Sequence, residues 1–347
     1  MDNSVPHKRR VRYQGTHPKN FKEKYKELEP EKYCETIEKI IQKGNTPAGM
    51  HIPICVDEIL EILQIQPGQT GLDATLGYGG HTLEMLKCLN FNGHLFALDV
   101  DPIEIVKTKE RLNKLGYGSD ILTVKQMNFA NIDQAAAESS LDFVLADLGV
   151  SSMQIDNPER GFTYKREGPL DLRLNPQDGY TAADRLRTIS QYELEGILTQ
   201  NADEPYAKEI SIAIVSKIKK GCDVATTTML REIINDALSF IPAKQRKDAV
   251  NKSSQRTFQA LRIDINREFD VLSELLEKLP KVLKSGGRAA ILTFHSGEDR
   301  LVKKSFKAMR NEGIYSDVAR NVIRASPAEC SRNNRARSAK LRWAVKA

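Results

Sequence analysis

No run of apolar residues in this sequence is long enough to cross a bilayer; the longest, such as Arg288-Ala-Ala-Ile-Leu-Thr-Phe294, end within a few residues. The opening segment, Met1 to Arg10, has no apolar stretch behind its charges, which argues against a secretory signal. Membrane and secreted classes are therefore not expected. Paired cysteines are lacking too. The five cysteines, Cys34, Cys55, Cys88, Cys222 and Cys330, are odd in number and lie at least 21 residues apart. Reduced thiols in a cytoplasmic protein follow, and the scattered cysteines and histidines offer no metal-ligand spacing.

What is present is an ordinary core composition with an uneven charge. The 347 residues are 40% hydrophobic and 28% charged, enough for one large α/β domain with an insertion or for two modest domains. Net charge is +6, but residues 300–347 hold 13 Lys and Arg against 3 Asp and Glu. Residues 1–50 hold 11 against 7, so the middle of the chain is acidic. Basic ends suggest that a polyanion meets them; solvated helix faces are the alternative.

Residues 1–50 read as a basic, mostly helical extension, charged over Phe21–Lys43 and closed by Gly44-Asn-Thr-Pro47. A regular alternation follows. Helices are expected over 54–63, 81–89 and 102–115, and strands over 71–75, 94–99, 121–125 and 141–147. Short strands separated by helices imply a parallel sheet covered on both faces. From 151 to 254 the alternation gives way to loops and to helical patterns at 181–200, 204–220 and 227–240, an expected helical insert for substrate recognition. Phe258, Leu261, Ile265, Phe269, Leu272, Leu276 and Leu279 then predict one long amphipathic helix. A strand over 287–294 and closing strands over 316–325 and 338–346 complete the expectation, so that 51–150 and 255–347 form the sheet domain.

The chemistry concentrates at strand ends. Asp73-Ala-Thr-Leu-Gly77-Tyr-Gly79-Gly80-His81 runs from a strand into a helix. Close glycines let a ligand approach the backbone and the helix N–H groups. Asp99 ends the next strand, placed for a ribose diol, and Asp147 ends the fourth, where an open parallel sheet carries its site. Together they point to a nucleoside-containing cofactor. The spacing departs from G-x-G-x-x-G, and an acid beside free N–H groups suits the ammonium and carboxylate of S-adenosylmethionine better than the pyrophosphate of NAD.

These residues bring the sequence to a resemblance. Asp73–His81, Asp147-Leu-Gly-Val-Ser-Ser-Met-Gln154, Asp156-Asn-Pro-Glu-Arg-Gly-Phe162, Gly168-Pro-Leu-Asp-Leu-Arg173, Arg256-Thr-Phe-Gln-Ala-Leu-Arg262, Thr293-Phe-His-Ser296 and Asn334-Arg-Ala-Arg-Ser338, with His51-Ile-Pro before them, resemble the RsmH (MraW) type 16S rRNA cytosine-N4 methyltransferases. The blocks occur in that family's order over about residues 51–347. The resemblance implies a class I S-adenosylmethionine-dependent methyltransferase fold, Rossmann-like with a mostly parallel sheet, carrying a helical insertion. It implies S-adenosylmethionine as methyl donor, small-subunit rRNA within the assembled 30S subunit as substrate, and a homodimer.

By the resemblance Gly79, Gly80 and His81 would hold the donor's amino-acid end, Asp99 the ribose, and Phe129 the adenine, with Asp73, Gly77, Asp147 and Gln154 completing the pocket. His81, Phe129 and Gln154 rest on the resemblance alone. Asp147 is the expected catalytic group. The Asp/Asn-Pro-Pro-Tyr/Phe tetrapeptide typical of amino methyltransferases is replaced by Asp147-Leu-Gly-Val150, so a base would have to stack on another segment. Phe162, Tyr164 and His295 are candidates, and Arg173, Arg256, Arg262, Arg335, Arg337 and Arg342 are candidate RNA contacts. Residues 1–50 and Lys252-Ser-Ser-Gln, Ser296-Gly297-Glu298 and Asn333-Asn334 depart from the pattern, as in a divergent paralogue. Action on another RNA or DNA, or a donor-binding assembly factor without turnover, are the alternatives.

Overall fold

The computed structural model describes residues 53–347; the basic extension 1–50, with its expected helix over 21–43, and His51-Ile52 lie outside the described residues. The sheet alternation runs α1 (Val56–Leu63), β1 (Thr70–Asp73), α2 (Gly80–Leu89), β2 (His94–Asp99), α3 (Pro102–Lys114), β3 (Leu122–Gln126), α4 (Ile132–Ala135) and β4 (Leu141–Asp147). Each element has a local cause. Asp101 caps α3 by accepting from the N–H groups of Ile103 and Glu104, and Pro102 sits at the first helical position, where its missing N–H costs nothing. Phe143 and Leu145 of β4 face one side of the sheet and Val144 and Ala146 the other, so both faces are apolar and both need a helix layer.

Seven strands form one sheet in the order β3-β2-β1-β4-β5-β7-β6. β1 to β5 are parallel, and β7 (Lys340–Lys346) runs antiparallel between β5 (Leu283–Thr293) and β6 (Tyr315–Val318). The first face is covered by α1 and α2 through Ile59, Leu63, Met85 and Leu86. The second is covered by α11 (Glu268–Val282) and α12 (Ser296–Asn311), through Leu272, Leu276, Val302 and Phe306. No described helix is long and apolar enough to cross a membrane.

Between β4 and β5 lie α5 (Ser152–Asp156), α6 (Ala182–Thr188), α7 (Gln191–Ala202), α8 (Ala207–Lys219), α9 (Thr227–Ala237) and α10 (Ala243–Ile265), while α13 (Pro327–Arg332) precedes β7. α6 to α10 enclose a core of their own, with Leu186, Leu194, Ile210, Leu230 and Leu261 at its centre. Three expectations change here. The helix expected over 181–200 is two helices, because Ser190 caps α7. The boundary at 254/255 falls inside α10, which is continuous.

The long helix expected from Phe258 to Leu279 is also two helices. Arg267 takes a left-handed conformation with φ of 49°, and the Asn266 side chain donates to the carbonyls of Leu172 and Arg262 and accepts from the N–H of Leu174. The break costs only two residues, so the apolar spacing runs through it, although Phe258 and Leu261 enter the insert core and Leu272 and Leu276 the sheet core.

Candidate active site

The carboxyl ends of β1, β2 and β4 converge on the loop Ala74–Gly79. Asp73 is fully buried: it accepts from the Thr75 N–H at 3.0 Å and from the Thr82 hydroxyl at 2.6 Å, tying the loop to the first turn of α2. Burial raises its carboxyl above the ordinary range, against those donors. Thr75 in turn accepts the N–H of Asp147 at 2.7 Å, so one hydroxyl joins the ends of β1 and β4. Gly79 caps α2 with φ of 73°, and a Cβ there would lie 2.7 Å from Thr108 Cγ2. A Cβ on Gly80 would press on Pro53 at 3.1 Å. Among the described residues no side chain caps α2, which leaves its first-turn N–H groups to a ligand.

His81 is buried in that turn. Its Nε2 donates to the Ile54 carbonyl at 2.9 Å, and its Nδ1 lies 3.4 Å from Asp147 Oδ2. Burial opposes the imidazolium, but Asp147, the Ile54 carbonyl and Asp73 outweigh it and hold the pKa above the ordinary value. The reason is the tautomer. With Nε2–H committed to Ile54, a neutral ring would turn a lone pair toward the carboxylate; the imidazolium donates to both. That contribution to stability is present below the ring's unfolded pKa and is lost as pH rises through its raised folded value. Asp147 Oδ1 is buried and meets no hydrogen-bond partner among the described residues.

Asp99 is partly open to solvent. Its Oδ2 accepts from Gly77 N–H at 2.7 Å and its Oδ1 from Asp101 N–H at 2.9 Å. Burial, with Asp101 and Asp73 nearby, pushes its carboxyl up to about 6 against the pull of those N–H groups. A ribose diol donates to the ionised form, so donor affinity is expected to be constant above pH 7 and to fall on acidification through pH 6. At pH 5 it should be about tenfold weaker, one pH unit below the midpoint. Calorimetric titration with S-adenosylhomocysteine across pH 5–8 checks this, and an affinity independent of pH would release Asp99 from the diol.

The remaining expected residues divide. Phe129 stands half-buried in a short turn after β3 that the Asn128 side chain caps by accepting from the Ala130 N–H. The Gln154 amide is committed internally: Nε2 donates to Asp101 and Oε1 accepts from Ser151 N–H. Arg173 spends its guanidinium on Asp171 and on the carbonyls of Asp178 and Gly179, and Phe162 is enclosed in the insert core. These three therefore present no free polar group or ring face. Tyr164 is held against Phe258 with Arg231 over its ring.

His295 caps α12 beside Glu298, and Arg262 forks onto Glu268. Arg342 pairs with Asp299 and Arg256 lies 4.0 Å from Glu204. Arg335 reaches to 3.9 Å from Asp156, just beyond the site, and Arg337 is exposed.

Sequence reasoning missed the support beneath the site. Asp101 is completely buried; besides capping α3 it accepts from Gln154 and, at 2.6 Å, from Arg160 Nη1. Arg160 Nη2 donates to the carbonyls of Arg173 and Leu174. This node joins the end of β2 to the start of the insert. Asp101-Pro102 is legible as a cap, but nothing in the sequence marks Arg160 as its partner.

The glycine cradle, the first turn of α2 and the partly open Asp99 together fit the ammonium, carboxylate and ribose of S-adenosylmethionine, and Asp147 Oδ1 stands beside them without a partner among the described residues. With the strand order 3-2-1-4-5-7-6 and its antiparallel seventh strand, they define a class I S-adenosylmethionine-dependent methyltransferase. Residues 48–347 match the model of the MraW methylase family, and the chain belongs to that family.

Its relatives include Ribosomal RNA small subunit methyltransferase H 1 of Lachnoclostridium phytofermentans, 68% identical with 100% of this chain and 95% of the relative covered. Ribosomal RNA small subunit methyltransferase H 2 of Alkaliphilus metalliredigens is 68% identical over the whole of both chains. Ribosomal RNA small subunit methyltransferase H of Koribacter versatilis is 38% identical over 85% of this chain and 94% of its own. The first two match along the entire chain, so residues 1–50 do have counterparts in the family.

Proposed function

We propose that this methyltransferase modifies N4 of a cytidine in small-subunit rRNA, acting in the cytoplasm on the assembled 30S subunit as a homodimer. The names of its relatives support the rRNA substrate. The family resemblance supports the nucleotide, the assembled subunit and the dimer. The observation that carries the chemistry is the free Oδ1 of Asp147, beside the donor loop and at the carboxyl end of a central strand.

The donor supplies a sulfonium methyl that is electrophilic without further activation. Cytosine N4 is a poor nucleophile, because its lone pair is delocalised into the ring. The work of the protein is therefore alignment and exclusion of water. The target base leaves its stack and enters above β4, as base-modifying enzymes require. Asp147 Oδ1 accepts a hydrogen bond from the exocyclic amine and orients its lone pair, while Oδ2 stays anchored on His81. As the nitrogen bonds the methyl carbon and the sulfur–methyl bond breaks, positive charge makes the amine acidic, and the Asp147 carboxylate takes its proton late. Gly79 and Gly80, the first turn of α2 and Asp99 would hold the donor, and Phe129 would flank its adenine.

Nucleoside mass spectrometry of small-subunit rRNA from cells with and without the gene is the test. Loss of one N4-methylated cytidine, restored by the intact gene, is the expected result. An unchanged profile would redirect the reading to another nucleic acid or to a donor-binding assembly factor.

A further inference from the structure

α12 leaves the catalytic edge of the sheet directly after β5 and lies over the second sheet face. Its inner face, Val302 and Phe306 with Leu301 and Met309 beside them, is taken up by the sheet core. Its outer face carries Arg300, Lys303, Lys304, Lys307 and Arg310, all exposed. At 100° per residue these five fall within one stripe opposite the buried one, along roughly 15 Å of helix. None of the five side chains has an ion pair or hydrogen bond within the described residues, although Asp299 and Arg342 pair close by.

A helical stripe of cations with no internal partner is a solvated face or a docking surface for a polyanion. Clustering favours the second: five like charges on adjacent turns repel one another, and none of them meets a carboxylate at ion-pair distance among the described residues. A membrane is a poor occupant. Interfacial helices insert an apolar face, and the apolar face of α12 is already spent on the sheet. The acidic middle of the chain leaves the excess of 13 cations over 3 anions to residues 300–347, where this stripe begins.

We propose that the outer face of α12 binds the phosphate backbone of the RNA substrate, and that Arg300, Lys303, Lys304, Lys307 and Arg310 fix the substrate's register outside the pocket without reading its bases. The inference rests on the rRNA reading above. Contacts of this kind release counterions, so each adds to the salt dependence of binding, by roughly 0.7 in the log–log slope for single strands and 0.9 for duplex. Five such contacts predict a slope smaller by about 3.5 to 4.5 once they are removed.

The test replaces all five by glutamine, which keeps helix propensity and removes charge. A control variant neutralises five scattered exposed lysines, Lys109, Lys114, Lys219, Lys244 and Lys281. Binding to small subunits from cells lacking the gene is measured from 50 to 200 mM salt, with methyl-transfer kinetics and donor affinity alongside. The stripe variant should show the reduced slope and a KM raised at least tenfold at physiological salt. Its kcat and donor affinity should stay within twofold of the parent protein, and the scattered variant should change little.

Equal effects of the two variants would mean net charge alone, and an unchanged slope and KM would overturn the proposal outright. Parent protein that binds subunits without methylating them would instead sink the catalytic reading and leave the stripe to the slope. Parent protein that does neither would sink both. Binding to anionic phosphatidylglycerol vesicles that the stripe variant loses, with subunit binding intact, would assign the face to a membrane and also overturn the proposal.

Discussion

Asp147→Asn is expected to lower turnover about a thousandfold while S-adenosylhomocysteine affinity changes less than threefold. The size follows from the position of the two carboxylate oxygens. Oδ2 is held by His81 and Oδ1 is unpartnered, so the group is oriented but only half used. Asparagine keeps an acceptor oxygen but loses the charge that strengthens it and the base that receives the amine's proton, and losses of that kind run to about 10²–10⁴ in rate. A thousandfold is about 4 kcal/mol of transition-state stabilisation.

Donor binding depends on the loop, α2 and Asp99, which asparagine leaves in place. Single-turnover methyl transfer with donor calorimetry separates the two. A variant that keeps more than a tenth of parent turnover would remove Asp147 from the reaction. A parallel loss of donor affinity would make it a donor-positioning group instead.

Arg160→Met should be the most damaging single change to stability. Asp101 is completely buried and Arg160 nearly so, and the pair is bonded at 2.6 Å. Truncating one member leaves a carboxylate in the interior with only Gln154 and the α3 N-terminus to compensate, a loss of about 3–5 kcal/mol. In a chain of 347 residues that lowers the melting temperature by roughly 4–7 °C. The damage should reach function as well, since Asp101 N–H bonds Asp99 and the same node holds the start of the insert. Adding Asp101→Asn to Arg160→Met removes the stranded charge and should recover part of the loss in chemical denaturation. No recovery would mean that Arg160 acts through the carbonyls of Arg173 and Leu174 rather than through the ion pair.

The sheet half was legible because its signals are local. β2 and β4 fall on the residues where apolar runs end in Asp99 and Asp147, and a strand reads as such whatever lies beside it. The helical region was harder. α10 and α11 keep one apolar spacing across the break at Asn266-Arg267, and periodicity counts residues without saying which core they enter. No element is expected over α12 from the sequence, where seven charged residues stand against a thin apolar stripe of Leu301, Val302, Phe306 and Met309. Phe162 and Arg173 looked available for RNA because an aromatic and an arginine in a loop carry no mark of burial.

By itself the sequence determined the order of strands and helices in the sheet half, the glycine loop, and which carboxylates end which strands. Each depends on residues within about ten positions of one another, where chain connectivity fixes the geometry. Only the tertiary structure decided which carboxylates are spent and which are free. Asp73, Asp99, Asp101 and Asp147 are the same chemical group in the sequence. Asp73 takes its donor from Thr82, nine residues on, but the others reach further along the chain: Gly77 for Asp99, Arg160 for Asp101 and His81 for one oxygen of Asp147. Folding supplies three of the four with their partners and leaves the fourth one oxygen short, because a buried polar group is stable only with a partner and a site must keep one place for its substrate.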